Sequence, residues 1–215
     1  GELAKQLLGR TYDVARPGVV AIYLTGSLPA GCGPHDVAIA LVGKLFKSGY
    51  VKNKVMEFVG PGIASLRQDT RNAIDAMTTE TTCLSSIWET DEKTRQFLTV
   101  HGRAGDYKPL HPAELAYYDG VVSVDLSKIR PMIALPMHPS NAFTIEELNA
   151  NLEDILHACE QDVQKLIGRK DVQLDLCSKI ENGRLRVDQG VIAGCAGGLF
   201  DSIYEAASIL KGHTG

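Results

Sequence analysis

Cys195 is the residue whose surroundings best suit chemistry. It lies in the glycine-rich stretch Gly194-Cys195-Ala196-Gly197-Gly198, between a strand-like run at 191–193 and a helix predicted to continue to about Leu210. The N–H groups and dipole at a helix N-terminus favour a thiolate. Thiolates are the ligands of iron–sulfur clusters, and glycines let a bulky cluster approach the backbone. A tight turn around a small core residue explains the same spacing, and spacing alone favours that simpler interpretation.

Glu80 is the second candidate. It lies in Met77-Thr78-Thr79-Glu80-Thr81-Thr82, a predicted helix-to-strand junction rich in hydroxyl groups. Open α/β sheets bind ligands at the carboxyl edge of their strands. A glutamate aimed into a cleft at that edge could act as a general acid or base. A solvated loop glutamate explains the pattern equally well.

Other polar residues give weaker signals. The turn Thr25-Gly26-Ser27 could cradle an anion through backbone N–H groups, although such turns are common. Asp36 is predicted to be a helix N-cap. Arg67 and Arg71, one turn apart, could clamp a carboxylate, but a solvated helix face is the simpler interpretation. Four histidines show no metal-ligand spacing to each other: His101, His111, His138 and His157.

Composition narrows the class of protein. The chain has 215 residues, 44% of them hydrophobic and 22% charged, which is enough for a sizeable core. Its net charge of −4 gives no reason to expect nucleic acid as a partner. No apolar run approaches the length of a membrane span and no signal-peptide pattern is visible, which favours a cytoplasmic location. The five cysteines form no C-x-x-C pair, so reduced thiols are expected.

Residues 19–130 read as an α/β domain that follows a lead-in segment over 1–18. Apolar or β-branched runs alternate with helical periodicity and short loops, which predicts βα units on a mainly parallel sheet. Strands are expected at four places: Val19–Leu24, Lys54–Val59, Cys83–Trp88 and Val121–Asp125. Helices are expected after Asp36, over Ser65–Met77 and from Asp91.

The remainder of the chain has a different pattern. Three prolines predict a linker over 131–143, and 144–215 reads as part of a further α/β domain. Thr144 and Glu147 form a capping box for one helix that ends at Gly168 and buries one face. That face contains Leu148, Leu152, Ile155, Cys159, Val163 and Leu166. Asn182-Gly183 predicts a hairpin turn. Because the chain starts with Gly1 and stops soon after a helical pattern, we expect a piece of a longer protein.

Several segments in order resemble the aconitase and isopropylmalate isomerase superfamily. Leu24-Thr25-Gly26-Ser27-Leu28 with Pro34-His35-Asp36-Val37 is similar to the family's L-T-G-x-L…P-K-D-V stretch. Phe58–Ile63 resembles its aromatic-x-G-P-G-V turn, and Ile74–Glu80 resembles I-C-N-M-G-A-E. Gly194-Cys195 falls where the family's G-S-C-T-N-S presents its first cluster cysteine. Val124-Asp125-Leu126 with Pro131 and Tyr204-Glu205 resemble further family segments.

The resemblance implies an internal fragment of a divergent bacterial aconitase-like hydro-lyase, comprising the three-layer αβα second domain and the start of the third. The longer protein would reversibly dehydrate or hydrate a hydroxy-di- or tricarboxylate such as citrate. Cys195 would be the first ligand of its [4Fe–4S] cluster, and Glu80 the catalytic carboxylate. Partners would be the carboxylate substrate and the remaining domains. The fragment alone, with one cluster cysteine of three, is expected to hold no cluster and to be inactive.

The departures from the family keep a second function open. Ala76 replaces an asparagine, and Ala196-Gly197 replaces a Thr-Asn pair, so polar contacts to a cluster are lost. A non-catalytic aconitase-fold protein that senses iron or oxygen, or binds RNA after cluster loss, is the alternative. Among enzymes, a homoaconitase and the isopropylmalate isomerase large subunit are the neighbouring possibilities.

Overall fold

Four parallel strands form the central sheet. The computed structural model describes residues 1–11, 13–169 and 171–213. The strands lie in the order β3-β2-β1-β4, and every neighbouring pair is parallel. Their bounds are β1 (Val19–Thr25), β2 (Val55–Val59), β3 (Ser85–Trp88) and β4 (Gly120–Asp125). The predicted α/β class with a mainly parallel sheet is confirmed, and helices flank this sheet as expected of an αβα domain.

Helices alternate with these strands. The bounds are α1 (Glu2–Leu7), α2 (Pro34–Leu45), α3 (Gln68–Met77) and α4 (Glu92–Val100). Helices α2 and α3 pack on the sheet face that carries Val20, Ile22 and Leu24, all fully buried. The opposite face of the sheet carries Tyr23, Ile87 and Val121, which are exposed. The alternation along each strand therefore separates a face buried under α2 and α3 from a more exposed face.

The start of α2 differs from the prediction, and Asp36 is not its N-cap. Gly33 is the N-cap, because its backbone is extended and Pro34 supplies the first helical residue. Asp36 therefore lies in the first turn, where its carboxylate accepts the Gly33 N–H at 2.7 Å. The second carboxylate oxygen accepts the N–H of Met132 at 2.7 Å, which joins α2 to a later segment.

Arg71 is buried, and the expectation that it lies on a solvated helix face was wrong. Its side chain is 1% exposed and donates to the carbonyls of Ile63 and Leu66 at 3.0 and 3.1 Å. Two further bonds of 3.0 and 2.5 Å reach the Asp91 carboxylate, which also caps α4. The backbone carbonyls of the turn before α3 point into the protein, and the guanidinium donates hydrogen bonds to them.

The proline-rich segment contains an ordered hairpin. Strands β5 (Met132–Ala134) and β6 (Ala142–Thr144) pair antiparallel and pack against α2. Leu135, just after β5, is buried and belongs to a second hydrophobic core. The boundary of a domain at 131–143 remains a prediction.

The second core is built by two helices where one was predicted. Helix α5 (Ile145–Ala150) ends at Asn151, and α6 (Leu152–Ile167) follows. The Thr144–Glu147 capping box is confirmed, as is the left-handed end at Gly168. Most of the predicted face is buried, but Leu156 is fully buried as well and Leu166 is 70% exposed. Leu166 was therefore wrongly placed on the core face.

The C-terminal part contains short elements. The Asn182-Gly183 turn is confirmed, with positive φ at both residues, and joins β7 (Ile180–Glu181) to β8 (Arg184–Leu185). Helices α7 (Gly194–Gly197) and α8 (Phe200–Leu210) follow. The strand predicted at 191–193 is absent: Val191 and Ile192 are exposed and pair with no described strand. Among the described residues, no helix is long and apolar enough to cross a membrane.

The Arg71–Asp91 pair generates a stability prediction. Asp91→Asn keeps a side chain that can cap α4 but removes the negative partner of a buried guanidinium. Loss of one member of a buried pair costs about 3–5 kcal/mol, and with Asp91 32% exposed we expect about 2–3 kcal/mol at pH 7. Urea unfolding followed by circular dichroism measures this difference.

The pH dependence of that difference has a defined sign. Burial alone would raise the pKa of Asp91, but the Arg71 hydrogen bond and the N–H groups of Thr94 and Lys93 hold the pKa below its ordinary value. The stabilisation is therefore complete above the unfolded pKa of about 3.9 and is lost as pH falls through the folded pKa. Asp106→Asn, in an exposed pair with Arg103, is the control and should change stability by less than about 0.5 kcal/mol. Equal losses in the two variants would contradict this account.

Candidate functional site

Glu80 lies at the amino edge of the sheet. It belongs to a 3-10 helix, Thr78–Thr81, which connects the end of α3 to the start of β3. The Thr82 carbonyl accepts the N–H of Asn53, just before β2 begins. The expectation that Glu80 lies at the carboxyl edge was wrong, because a helix joining parallel strands returns the chain to the edge where strands start.

A histidine pairs with Glu80. His138 Nε2 lies 3.7 Å from a Glu80 carboxylate oxygen. The imidazole stacks on Phe46, with ring centroids 4.0 Å apart, and its Nδ1 lies 3.0 Å from the Ser140 hydroxyl. The Glu80 side chain is 45% exposed, so the pair faces solvent. This distance exceeds hydrogen-bond reach, so a proton can pass between the carboxylate and the imidazole only through a bridging water or after a small change of rotamer.

Sequence reasoning missed His138 as a partner of Glu80. The two residues are far apart in the chain, and the fold brings them together by packing the β5–β6 hairpin against α2. No local spacing signals such a pair. The hydroxyls expected around Glu80 have structural roles, since Thr78 and Thr81 donate to the carbonyls of Asp75 and Thr78 at 2.7 and 2.6 Å.

Two turns of the resembling segments lie at the carboxyl edge. A Cβ on Gly62 would lie 2.8 Å from the Leu24 carbonyl carbon, so this glycine lets the turn after β2 contact β1. The turn at Gly26 has φ of 68°, and the Asp125 carboxylate lies beside it. A carboxylate at that position opposes the binding of an anion, so the suggested anion cradle gains no support.

Cys195 lies on the carboxyl side of the sheet. It is exposed and occupies the second position of α7. Helix α7 packs against α3 and the start of α2, where Gly197 lies beside His35. The Asp201 N–H donates to Asp69 in the first turn of α3 at 3.2 Å, and Arg67 pairs with Asp201 and Glu205. These contacts hold the C-terminal segment against the starts of α2 and α3.

The structure therefore does not bring Cys195 and Glu80 together. Helix α2 separates them, with His35 near α7 at one end and Phe46 near His138 at the other. At a rise of about 1.5 Å per residue, that separation is about 16 Å along the helix axis. Each candidate lies in its own region of the surface.

The thiols present do not by themselves fit a [4Fe–4S] cluster, which needs several cysteine ligands. Each of the other four cysteines donates to a backbone carbonyl: Cys32 to Ile129, Cys83 to Thr78, Cys159 to Pro136 and Cys177 to Glu153. In the described ranges, the one group of three or more close metal-binding side chains lies elsewhere, on and beside α6. Cys195 can contribute a single ligand.

Comparison with known proteins identifies the family. A profile of the aconitase family (aconitate hydratase) matches residues 1–215. The chain belongs to the aconitase family.

Its curated relatives are named as dehydratase subunits. The 2,3-dimethylmalate dehydratase large subunit of Eubacterium barkeri is 28% identical over 196 residues, covering 91% of this chain and 38% of that protein. The 3-isopropylmalate dehydratase large subunit of Caldicellulosiruptor saccharolyticus is 29% identical with the same coverage. The 3-isopropylmalate dehydratase large subunit 2 of Archaeoglobus fulgidus is 33% identical over 132 residues, covering 61% of this chain and 32% of that protein. The chain thus spans less than half the length of these relatives.

Thiol accessibility in this structure can be measured directly. Cys195 is exposed, whereas Cys159 is buried and burial raises its pKa. We expect iodoacetamide to modify Cys195 at least about tenfold faster than Cys159 in the folded chain, because the thiolate must form and be reached. Peptide mass mapping after timed quenching gives both rates. Equal rates in the folded chain, matching those in urea, would refute the placement of these thiols.

Proposed function

We propose that this chain is part of a longer hydro-lyase that reversibly removes water from a hydroxy-dicarboxylate. The observation that carries the proposal is the family match along all 215 residues. Relatives that span over twice this length are named dehydratases of dimethylmalate and isopropylmalate. We therefore favour a substituted malate as substrate over the citrate that the sequence resemblance first suggested.

Glu80 and His138 are the candidate proton-transfer groups of this chain. Dehydration removes a proton from carbon and expels a hydroxyl, so a positioned carboxylate or imidazole is required. The resemblance of Ile74–Glu80 to a family segment also supports Glu80 in this role. The Phe46 ring and the Ser140 hydroxyl orient the imidazole. Both side chains are partly exposed, so each remains accessible to a substrate.

Cys195 is the candidate cluster ligand. An exposed thiol on a glycine-flanked turn can be reached by an iron–sulfur cluster. The other ligands of a [4Fe–4S] cluster would come from parts of the longer protein outside this chain. Since Cys195 and Glu80 lie on opposite edges here, joint action at one site requires the segment from 186 to 213 to dock differently in the whole protein.

Further partners complete this proposal. The relatives are named large subunits, and on that basis we propose a smaller subunit as a partner in addition to the remaining domains of the longer chain. Residues that recognise the second carboxylate of the substrate would come from these parts. Arg71 is not available for this role, since it is buried in its pair with Asp91.

A non-catalytic role is the second candidate. Ala76 and Ala196-Gly197 replace polar residues of the family pattern, so hydrogen bonds that tune a cluster are missing. An iron- or oxygen-sensing protein, or one that binds RNA once its cluster is lost, would tolerate these changes. Cluster assembly without turnover of any hydroxy acid, together with RNA binding by the cluster-free form, would favour this role.

The activity test uses the longer protein, reconstituted anaerobically with iron and sulfide. We expect the kcat/KM for hydration of isopropylmaleate or dimethylmaleate to exceed that for hydration of cis-aconitate. The loss of ultraviolet absorbance as the double bond is hydrated measures each rate. Glu80→Gln should lower kcat by about 10²–10⁴-fold, the usual contribution of a general acid or base. Cys195→Ser should abolish both turnover and cluster absorption.

Two matched variants serve as controls. Cys32→Ser changes a thiol that hydrogen-bonds the Ile129 carbonyl, and Glu92→Gln changes an exposed helix glutamate. Both should retain cluster absorption and turnover. Turnover of cis-aconitate alone would restore citrate as the substrate class, and no turnover of any hydroxy acid would overturn the hydro-lyase proposal.

A further inference from the structure

His157, Glu160 and Cys177 bring three metal-binding side chains together outside the candidate active site. One ligand atom from each lies within 4.8 Å of the other two. His157 and Glu160 are one turn apart on α6, and Cys177 follows the loop after that helix. No role in the proposed hydro-lyase uses any of these three residues. Imidazole, carboxylate and thiolate are the three ligand types that zinc takes in proteins.

Glu160 organises the group. One carboxylate oxygen, Oε1, accepts the backbone N–H groups of Leu176 and Cys177 at 2.5 and 2.8 Å. These two bonds hold Cys177 against α6. The other oxygen, Oε2, points to His157, with 3.6 Å between it and Nδ1. The oxygen that a metal needs is therefore separate from the oxygen that caps the loop.

The spacing suits a tetrahedral ion. With ligand distances of about 2.0–2.3 Å, neighbouring ligand atoms around zinc lie about 3.3–3.7 Å apart. The His157–Glu160 distance of 3.6 Å already meets that value. The His157 side chain is 63% exposed and contacts the Gln161 side chain, so a change of rotamer that also moves Gln161 can close the remaining gap to the thiol.

Surrounding groups also favour a cation. The Gln161 amide nitrogen lies 2.9 Å from His157 Nε2. Once Nδ1 binds a metal, Nε2 carries a proton, so the amide must turn its oxygen toward the ring to accept it and fix the imidazole. The carboxylates of Glu153 and Asp175 add negative charge around the Cys177 thiol, besides that of Glu160. The loop behind the group is anchored, because Leu174 and Leu176 pack on the second hydrophobic core. A negatively charged group of three ligand side chains thus joins α6 to the loop.

We infer that His157, Glu160 and Cys177 bind a zinc ion, with water in the fourth position. The ion would fasten the segment from 171 to 188 to helix α6. Binding to the folded chain alone would also raise its stability in proportion to the logarithm of the zinc concentration. The site is independent of the proposed hydro-lyase activity.

The test is a zinc titration of the full, reduced 215-residue chain against a chromophoric chelator. A Cys195→Ser background removes the exposed thiol, and we expect one zinc per chain. His157→Gln and Cys177→Ser should each raise the Kd by at least about 100-fold, since loss of a residue that only hydrogen-bonds a ligand already costs about 10–100-fold. Cobalt substitution should give a thiolate charge-transfer band that Cys177→Ser abolishes.

Control variants test whether the site is specific. His101→Gln and Cys83→Ser change a histidine and a thiol elsewhere, and both should leave the Kd unchanged. Glu160→Gln is interpreted only with an unchanged circular dichroism spectrum, because its carboxylate also caps the loop. Absence of zinc binding, or a Kd that is unchanged in both His157→Gln and Cys177→Ser, would overturn the inference.

Discussion

Strand β1 is the element on which the rest of the fold depends. It has a parallel neighbour on each edge, and three of its side chains, Val20, Ile22 and Leu24, are fully buried. Parallel neighbours cannot be joined by tight turns, so each connection must cross over the sheet. The connection from β1 to β2 uses α2, and the connection from β2 to β3 uses α3. This constraint fixes which loops lie at which edge, and therefore where each candidate residue can act.

The consequences for function follow from the two edges. Connections that leave a strand lie at the carboxyl edge, which is where α7 and Cys195 pack. Connections that return to a strand lie at the amino edge, where Glu80 meets His138. The family-like segments that contain Cys195 and Glu80 are thus separated by the length of α2. The zinc site proposed on α6 is a third region, held by the second hydrophobic core.

The sequence was a good guide to elements whose signals are local. Alternation and β-branched runs placed all four strands of the main sheet within a few residues. The capping box at Thr144 is confirmed, the helix expected from Asp91 begins at Glu92, and Asn182-Gly183 predicted its hairpin. Segments in the family's order predicted the family itself, which the comparison confirms.

Features that depend on distant contacts could not be predicted. Arg71 is buried because loop carbonyls and Asp91 receive its donors, and helix periodicity contains no trace of that environment. The Glu80–His138 pair exists because a hairpin from the proline-rich segment folds back on α2. The edge predicted for Glu80 was wrong because a junction that leads from a helix into a strand lies at the edge where the parallel strands start.

Iron and acid-labile sulfide, counted per chain after anaerobic reconstitution, test the central functional claim most directly. The claim is that Cys195 supplies one ligand of a cluster completed by parts of the longer protein. The longer protein should then hold about four irons and four sulfides, and the 215-residue chain far less than one cluster. A full cluster on the 215-residue chain alone, or none on the longer protein, would contradict the claim.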